Sequence, residues 1–344
     1  MSQAEYFNAI ARALAANAAL PPCAKLERFA ASKNAKQKTP VSIAVTSDLH
    51  CDMRANADAM DAYAREEIAR HGADRADPRV RVLVVAGDVG TSLESITKTL
   101  STLRRSVDAL CYLPAGNHEL WTSNAEKWAS SSSSASGTND SPWYACDSLG
   151  KLAKLIDVCT SLDVRCTPTR FGEIVVIPTY GWYSDDFDGT NREYTPLEAR
   201  FDVGARWPSW IDANNPRNSH APGIAPFMSS LNARCLRTFL ASSPDVARTV
   251  NTLVTYSHFV PRVELYRGTP SLLKVMGSKI IEDDIRAAAR AFAPSAHVHV
   301  FGHSHLNVDT TVDGVRYVQC ALGYPSERWF GMTPNYPKLV YTTH

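Results

Sequence analysis

Five apolar, β-branched segments of the chain each end in a cluster of Gly, Asp, Asn or His, and this repeated feature constrains the fold more than any other. The segments with their polar ends are VSIAVTSDLH (41–50), RVLVVAGDVG (81–90), ALCYLPAGNHE (109–119), VNTLVTYSHFVP (250–261) and HVHVFGHSH (297–305). Short continuous apolar runs are typical of buried parallel strands. Because functional groups of open α/β sheets lie just past the carboxyl ends of the strands, we expect these clusters to meet in one site.

Helical patterns separate the first three segments. Residues 55–72, closed by Gly72, and residues 92–106 have helical character, and the resulting β-α-β-α-β order predicts an α/β fold with a parallel sheet. Further along the chain we expect a strand in 172–182, a helix in 231–243 and a hairpin turning at Asp313-Gly314.

The length of 344 residues fits one large domain with additions. We expect an N-terminal extension over residues 1–40, either a short packed helix or a frayed arm, and a single domain over 41–344. A Ser-rich stretch at 129–141 has the composition of a mobile surface loop. The aromatic segment 183–230 has no clear periodicity and is expected to be an inserted cap.

Charge and composition argue against several functional classes. Lys and Arg number 36 against 35 Asp and Glu, for a net charge of +1, which argues against a nucleic-acid partner because phosphate-backbone binding needs a basic face. The sequence contains no run of 18 apolar residues, so we expect no membrane span. The N-terminus lacks the pattern of a secretory signal. The eight cysteines are scattered along a large chain, which is typical of free thiols, so we predict a cytoplasmic location.

The polar strand ends carry the residue types that bind divalent metal ions. The candidate ligands are Asp48, His50, Asp88, Asn117, His258, His303 and His305. Carboxylate, amide oxygen and imidazole without thiolate suit Mn, Fe, Zn or Co. Seven ligands are too many for one ion but suffice for two if one carboxylate bridges, and two ions about 3.5–4 Å apart can clamp a phosphoryl group and supply a bridging hydroxide at neutral pH.

Taken in order, these motifs resemble those of the calcineurin-like metallophosphoesterase superfamily. The motifs are D-x-H at 48–50, G-D at 87–88, G-N-H-E at 116–119, the isolated His258 and G-H-x-H at 302–305. The resemblance covers residues 43–305 and implies a four-layer α-β-β-α sandwich of two mixed sheets. It also implies that His118 is no ligand but faces the substrate, stabilises the transferring phosphoryl group and protonates the leaving oxygen.

The same resemblance distributes the ligands between two ions. It implies that Asp48, His50 and His305 bind one metal and that Asn117, His258 and His303 bind the other. Asp88 would bridge the two ions. On this interpretation the two histidines of G-H-x-H serve different metals.

The chain departs from the protein Ser/Thr phosphatase branch, which carries G-D-x-x-D-R-G after the second strand. Here residues 87–92 read GDVGTS, so a backbone carbonyl or Thr91 is left to orient His118. The predicted reaction is hydrolysis of a small phosphomonoester or phosphodiester. A nuclease of the same superfamily and a non-catalytic scaffold on this fold are the alternatives.

Other residues near these motifs have weaker assignments. Trp182 and Tyr183 follow a predicted strand end and are the candidate walls of a substrate pocket, although the aromatic residues of the cap would equally form its own core. Glu119 is expected to stabilise a helix start, and Asp52 is a candidate acceptor for a ligand histidine. His297 and His299 are expected to pack or to lie at the surface.

Overall fold

The computed structural model describes residues 1–31, 40–73, 77–122, 147–211, 223–328 and 337–342. The Ser-rich stretch 129–141 and residues 212–222 of the predicted cap lie outside the described residues.

The eleven strands of the described residues form two sheets. The strands are β1 (Val41–Thr46), β2 (Val80–Val85), β3 (Ala109–Tyr112), β4 (Val164–Arg165), β5 (Thr169–Phe171), β6 (Ile174–Pro178), β7 (Thr252–Tyr256), β8 (Ala296–Phe301), β9 (Val308–Val312), β10 (Val315–Gln319) and β11 (Lys338–Thr342). The first sheet has the order β11-β1-β2-β3-β4, and the second has the order β5-β6-β7-β8-β10-β9.

Both sheets are mixed. Strands β1 to β4 run parallel, and β11 pairs antiparallel with β1. Strands β6, β7, β8 and β10 run parallel, with β5 and β9 antiparallel at the two edges. The turn between β9 and β10 has positive φ at both Asp313 and Gly314, which is the two-residue hairpin that the sequence predicts.

Helices cover the outer faces of the two sheets. The helices are α1 (Gln3–Ala18), α2 (Ala24–Ala31), α3 (Arg54–Ala73), α4 (Leu93–Ser106), α5 (Asn117–Leu120), α6 (Ser148–Ser161), α7 (Ile224–Ser242), α8 (Val246–Thr249), α9 (Lys279–Phe292) and α10 (Pro325–Arg328). One continuous core includes Val84 of the first sheet and Val300 of the second. A separate cluster packs Leu253 of the second sheet against Phe292 of α9. The predicted α/β sandwich of two mixed sheets is confirmed.

Helix α1 belongs to the folded unit and is not a frayed arm. Ser2 and Glu5 form a capping box at its start, and Ile10 and Leu14 are buried. Asn17 accepts a hydrogen bond from the Cys166 backbone N–H at 3.0 Å. The domain boundary at residue 40 stays a prediction.

Several elements differ from the sequence expectations. Helix α3 runs through Gly72 to Ala73, so this glycine does not end it. Helices α6 and α9 and strands β4, β5 and β11 were not predicted, and β11 completes the first sheet from the far end of the chain. Within the described residues no helix is long and apolar enough to cross a membrane. The seven described cysteines are free thiols, and the cytoplasmic location stays a prediction.

Candidate metal centre

The polar strand ends turn sharply through left-handed backbone conformations. Positive φ values occur at Asp48 (53°), His50 (44°), Asp88 (54°), His303 (72°) and His305 (53°). Asp, Asn and His adopt this conformation more readily than other non-glycine residues, and such conformations cluster at functional sites. The residues that follow the strands therefore turn toward one another and form one centre, at the strand ends where the sequence predicts a site.

Two motif glycines make room for this arrangement. Gly87 has a φ of 86°, and a Cβ there would lie 2.8 Å from His258 Nδ1. At Gly116 a Cβ would overlap the carboxylates of both Asp88 and Glu119. A side chain at either position would push a candidate ligand out of place, which explains the glycine in the G-D and G-N-H-E motifs.

Asn117, His258 and His303 form the first group of converging atoms. The distance from His258 Nε2 to Asn117 Oδ1 is 2.8 Å, and that from His303 Nδ1 to Asn117 Oδ1 is 3.0 Å. His258 Nε2 and His303 Nδ1 are 3.2 Å apart. The three atoms therefore lie within hydrogen-bonding distance of one another.

The hydrogen-bond partners on the far side of each ring decide which nitrogen carries the lone pair. His258 Nδ1 lies 3.0 Å from the Ala86 carbonyl oxygen, and His303 Nε2 lies 3.0 Å from that of Val275. Because a carbonyl oxygen only accepts, these nitrogens must be the protonated ones. In the neutral rings, His258 Nε2 and His303 Nδ1 are left as acceptors that face the amide oxygen of Asn117. Three acceptors without a donor between them fit a bound cation.

Asp48, His50 and His305 form the second group. His50 Nε2 lies 3.1 Å from His305 Nε2, and His305 Nε2 lies 3.5 Å from Asp48 Oδ1. His305 Nδ1 is 2.8 Å from the carboxylate of Glu327, a second contact that fixes the ring as carboxylates do for metal-binding histidines. One ligand atom from each of the three residues lies within 4.8 Å of the others.

Asp88 lies between the two groups. Its Oδ1 is 3.5 Å from His258 Nε2, and its Oδ2 is 4.0 Å from the Nε2 atoms of both His50 and His118. Its backbone N–H donates to Glu119 at 2.9 Å. This central position is the one that the resemblance implies for a bridging carboxylate.

Burial sets the charge state of the centre. It lowers the pKa of His50 and His258 well below the usual range, and it lowers that of His303 to about 3. Burial also raises the pKa of Asp88 well above its ordinary value. Burial acts to lower the pKa of His305 as well, but the charges of Asp48 and Glu327 outweigh it and raise that pKa. A divalent cation binds the neutral imidazole and the ionised carboxylate, so burial already favours the ligand form of His50, His258 and His303, and a bound cation would counteract the raised pKa of Asp88.

His118 borders this centre on its open side. Its Nδ1 lies 3.4 Å from Thr91 Oγ1 and its Nε2 lies 3.3 Å from the Tyr324 hydroxyl. The ring stacks on Trp121 with centroids 3.9 Å apart. Burial lowers the pKa of His118 to about 4. Of the two orienting groups that the sequence left open, the structure places Thr91 beside the ring.

Two carboxylates next to the motifs have different partners from those expected. Asp52 accepts hydrogen bonds from the backbone N–H groups of Thr91 and Ser92, not from a ligand histidine. Glu119 accepts from the backbone N–H of Val89 at 2.6 Å and from the Tyr112 hydroxyl at 2.8 Å. Its carboxylate therefore holds the turn that carries Asp88, which the expectation of a helix-start role missed.

Trp182 and Tyr183, the candidate walls of a substrate pocket, lie in the core of the described structure. Trp182 is fully buried and Tyr183 is 3% exposed. Both rings pack edge-on against Phe259, with centroids 4.9 and 5.6 Å away. The ring of Phe259 lies 4.6 Å from that of His303. The aromatic pair therefore packs against Phe259, which in turn contacts a residue of the first group.

His297 and His299 pack as expected. Thr255 Oγ1 lies 2.9 Å from His297 Nε2 and 2.8 Å from His299 Nδ1. Both rings belong to β8 and are buried away from the candidate ligands.

Sequence reasoning missed three residues that touch the centre. Asp202 binds the Asn117 amide, Glu327 binds His305, and Tyr324 lies against His50 with ring centroids 4.4 Å apart. Asp202 lies inside the predicted cap, and the other two follow β10. No motif marks them in a single sequence, since their role depends on a contact with a distant part of the chain.

Comparison with known proteins identifies a matching family model and structures of similar fold. A family model described as calcineurin-like phosphoesterase matches residues 41–307. Among solved structures, a phosphopantetheinyl hydrolase from Mycobacterium tuberculosis aligns with a TM-score of 0.53 and 19% identity, covering 88% of this chain and 97% of that one. This likeness shows a shared fold.

A Staphylococcus aureus protein provisionally described as a 5′-nucleotidase aligns less well, with a TM-score of 0.38 and 13% identity. The alignment covers 81% of this chain and 48% of that one. No curated protein matches the sequence.

Proposed function

The chain belongs to the calcineurin-like phosphoesterase family, and from this premise we propose that it is a hydrolase of a small phosphate ester that uses two divalent metal ions. The observation that carries the proposal is the convergence of Asn117 Oδ1, His258 Nε2 and His303 Nδ1 within 3.2 Å of one another. A phosphomonoester and a phosphodiester both remain within the proposed substrate class.

Each group of side chains would hold one ion. Asn117, His258 and His303 supply an amide oxygen and two imidazoles, and Asp48, His50 and His305 supply a carboxylate and two imidazoles. Asp88 reaches toward both groups. This mixed oxygen and nitrogen set without thiolate favours Mn, Fe, Zn or Co over Mg or Ca. Two such ions would neutralise phosphate charge and lower the pKa of bound water to about 7.

His118 is the proposed catalytic side chain. It is 15% exposed and lies beside Asp88, with Nε2 4.0 Å from Oδ2, so it borders the space where a phosphoryl group would be held. The Thr91 hydroxyl and the Trp121 ring restrict its orientation. From this position the neutral ring can donate a hydrogen bond to the phosphoryl group. Delivery of a proton to the leaving oxygen requires the protonated ring, which burial disfavours and which the negative charge of a bound phosphate ester would favour. Tyr324, 3.3 Å from the same nitrogen, keeps a donor hydroxyl because burial raises its pKa.

The small size of the proposed substrate rests on charge and on the missing motif. A net charge of +1 gives no broad basic face for duplex DNA, and GDVGTS lacks the Asp and Arg that protein phosphatases carry after the second strand. Within the cap, Arg192 is engaged by Glu198 at 2.7 Å.

A competition assay tests the proposal. The Mn²⁺-loaded protein would be given a nucleotide ester, a phosphopeptide and duplex DNA at 50 and 200 mM salt. We expect cleavage of the nucleotide ester with little change in kcat/KM between the two salts. Strong DNA cleavage that falls steeply with salt, by about 10³–10⁵ in affinity for 6–10 phosphate contacts, would favour a nuclease. No hydrolysis with any of Mn, Fe, Zn or Co would favour a scaffold.

A further inference from the structure

Asp202 of the predicted cap makes two hydrogen bonds that reach the candidate centre. Its Oδ1 accepts from Asn117 Nδ2 at 2.7 Å and from Trp121 Nε1 at 3.0 Å. Asp202 is 4% exposed and has a φ of 53°. A buried carboxylate on a left-handed residue is costly to keep, so its position calls for an explanation beyond packing.

The contact with Asn117 decides which end of the amide faces the two histidines. An asparagine side chain has an oxygen acceptor at one end and an NH₂ donor at the other, and rotation by a half turn exchanges them. With Nδ2 held by Asp202, Oδ1 faces His258 Nε2 at 2.8 Å and His303 Nδ1 at 3.0 Å. In the reverse orientation, NH₂ would donate to the imidazole lone pairs and occupy the place of a cation.

The contact with Trp121 extends the effect to the proposed catalytic side chain. The Trp121 ring stacks on His118 at an interplanar angle of 31°. The same oxygen of Asp202 therefore touches both the residue that carries a candidate ligand atom and the ring against which His118 lies. Within the described residues, the other carboxylate oxygen, Oδ2, is buried with no hydrogen-bond partner, so all the hydrogen bonding of this side chain is directed at the centre.

We propose that Asp202 is a positioning residue that holds the Asn117 amide with its oxygen toward the metal site, and thereby links the cap insertion to metal binding. The inference rests on the proposed metal centre. It predicts that the loss of Asp202 weakens the binding of one of the two ions and leaves the affinity for the other unchanged. The reason is that Asp202 accepts a hydrogen bond from Asn117 and, among the described contacts, from no residue of the Asp48, His50 and His305 group.

The test is a metal titration on a double-mutant cycle of the full chain. Wild type, Asp202→Ala, Asn117→Ala and the double variant would be freed of metal and titrated with Mn²⁺ by calorimetry, with electron paramagnetic resonance counting coupled ions. Mutation of a hydrogen-bond partner of a metal ligand typically lowers metal affinity or activity by about 10–100-fold. We expect Asp202→Ala to lower the affinity for one ion by a factor within that range. The double variant should bind Mn²⁺ no more weakly than Asn117→Ala alone.

Asp284 offers a matched control. It is another carboxylate held by two donors, Asn232 Nδ2 at 2.7 Å and Ser229 Oγ at 2.8 Å, neither of which is a candidate metal ligand. Asp284→Ala should leave the affinity of both ions unchanged. Asp202→Asn is the conservative variant, since its amide oxygen can still accept from Asn117 and Trp121, and it should keep the affinity within about threefold of wild type, equivalent to about 0.7 kcal/mol.

Several outcomes would overturn the inference. The first is that Asp202→Ala binds both ions with unchanged affinity. The second is that its affinity for both ions falls equally. The third is that the losses of binding free energy from the two single variants add in the double variant. If Asp202→Ala does not fold, Asp202→Asn decides alone, and a tenfold loss in that folded variant would show that an accepted hydrogen bond is not what positions the amide. Hydrolysis by wild type is measured separately, so a protein that binds two ions but cleaves no ester would contradict the proposed function and not this inference.

Discussion

His258 Nε2 lies 3.2 Å from His303 Nδ1, and each ring donates its other N–H to a backbone carbonyl. Two imidazole lone pairs therefore face each other in a buried site, with the amide oxygen of Asn117 as the third acceptor. Buried acceptors without donors destabilise a fold unless a cation satisfies them. Metal binding and stability of this protein should accordingly be coupled.

We first predict that Mn²⁺ stabilises the metal-free protein against thermal unfolding. A ligand that binds only the folded state adds about 2.7 kcal/mol at 100 times its Kd, which should raise Tm by several degrees. His303→Ala removes one of the facing acceptors and should reduce the rise, whereas Asp284→Ala should keep it. Calorimetry with and without chelator measures the effect, and an unchanged Tm in wild type would contradict the coupling.

The second prediction concerns Asp88. Asp88→Asn removes a negative charge from the position between the two groups of ligands, so bound metal and kcat should fall together. Metal analysis after gel filtration and an ester assay on the same sample provide the two readings. A variant with two bound ions and full activity would show that Asp88 does not bridge.

His118→Ala should separate catalysis from metal binding. Since His118 belongs to the open side of the centre, the variant should keep both ions while kcat falls by about 10²–10⁴ for esters with poor leaving groups. A nitrophenyl ester needs less proton transfer and should lose less. Equal losses for both kinds of ester would mean that His118 acts by charge or hydrogen bonding and not as an acid.

A fourth prediction follows from Lys151, whose ammonium donates to the carbonyl oxygens of Thr91 at 2.8 Å and Trp121 at 2.6 Å. Burial lowers its pKa from 10.5 to about 7. Between these two values the unfolded chain binds more protons than the folded protein, so this residue makes the free energy of unfolding increase as pH rises from about 7.

Lys151→Met removes that contribution and supplies the comparison. The difference in the free energy of unfolding between wild type and variant should shift in favour of wild type from pH 7 to pH 9, by at most about 1.4 kcal/mol per pH unit. Urea unfolding at three pH values measures it. A difference that is constant with pH would mean that Lys151 keeps its ordinary pKa in the folded protein.

Local sequence patterns were enough to predict which residues cluster at strand ends and where along the chain they lie. The apolar segments form strands because β-branched runs favour a buried sheet, and the sharp turns after them favour Asp, His and Gly. Asp48, Asp88 and His303 could therefore be placed at strand ends from local pattern alone, and the structure brings them to within a few ångströms of their expected neighbours.

Long-range packing fixes which atoms of these residues face one another and which distant side chains hold them in place. The His258 lone pair is set by the Ala86 carbonyl, 172 residues away in the chain, and the Asn117 amide is set by Asp202, 85 residues away. Trp182 shows the opposite outcome: its place after a strand end suggested a pocket wall, but the rings that surround it bury it fully. Ring tautomers, amide orientation and burial depend on partners that meet only when the two sheets pack, and local sequence preferences carry no record of those partners.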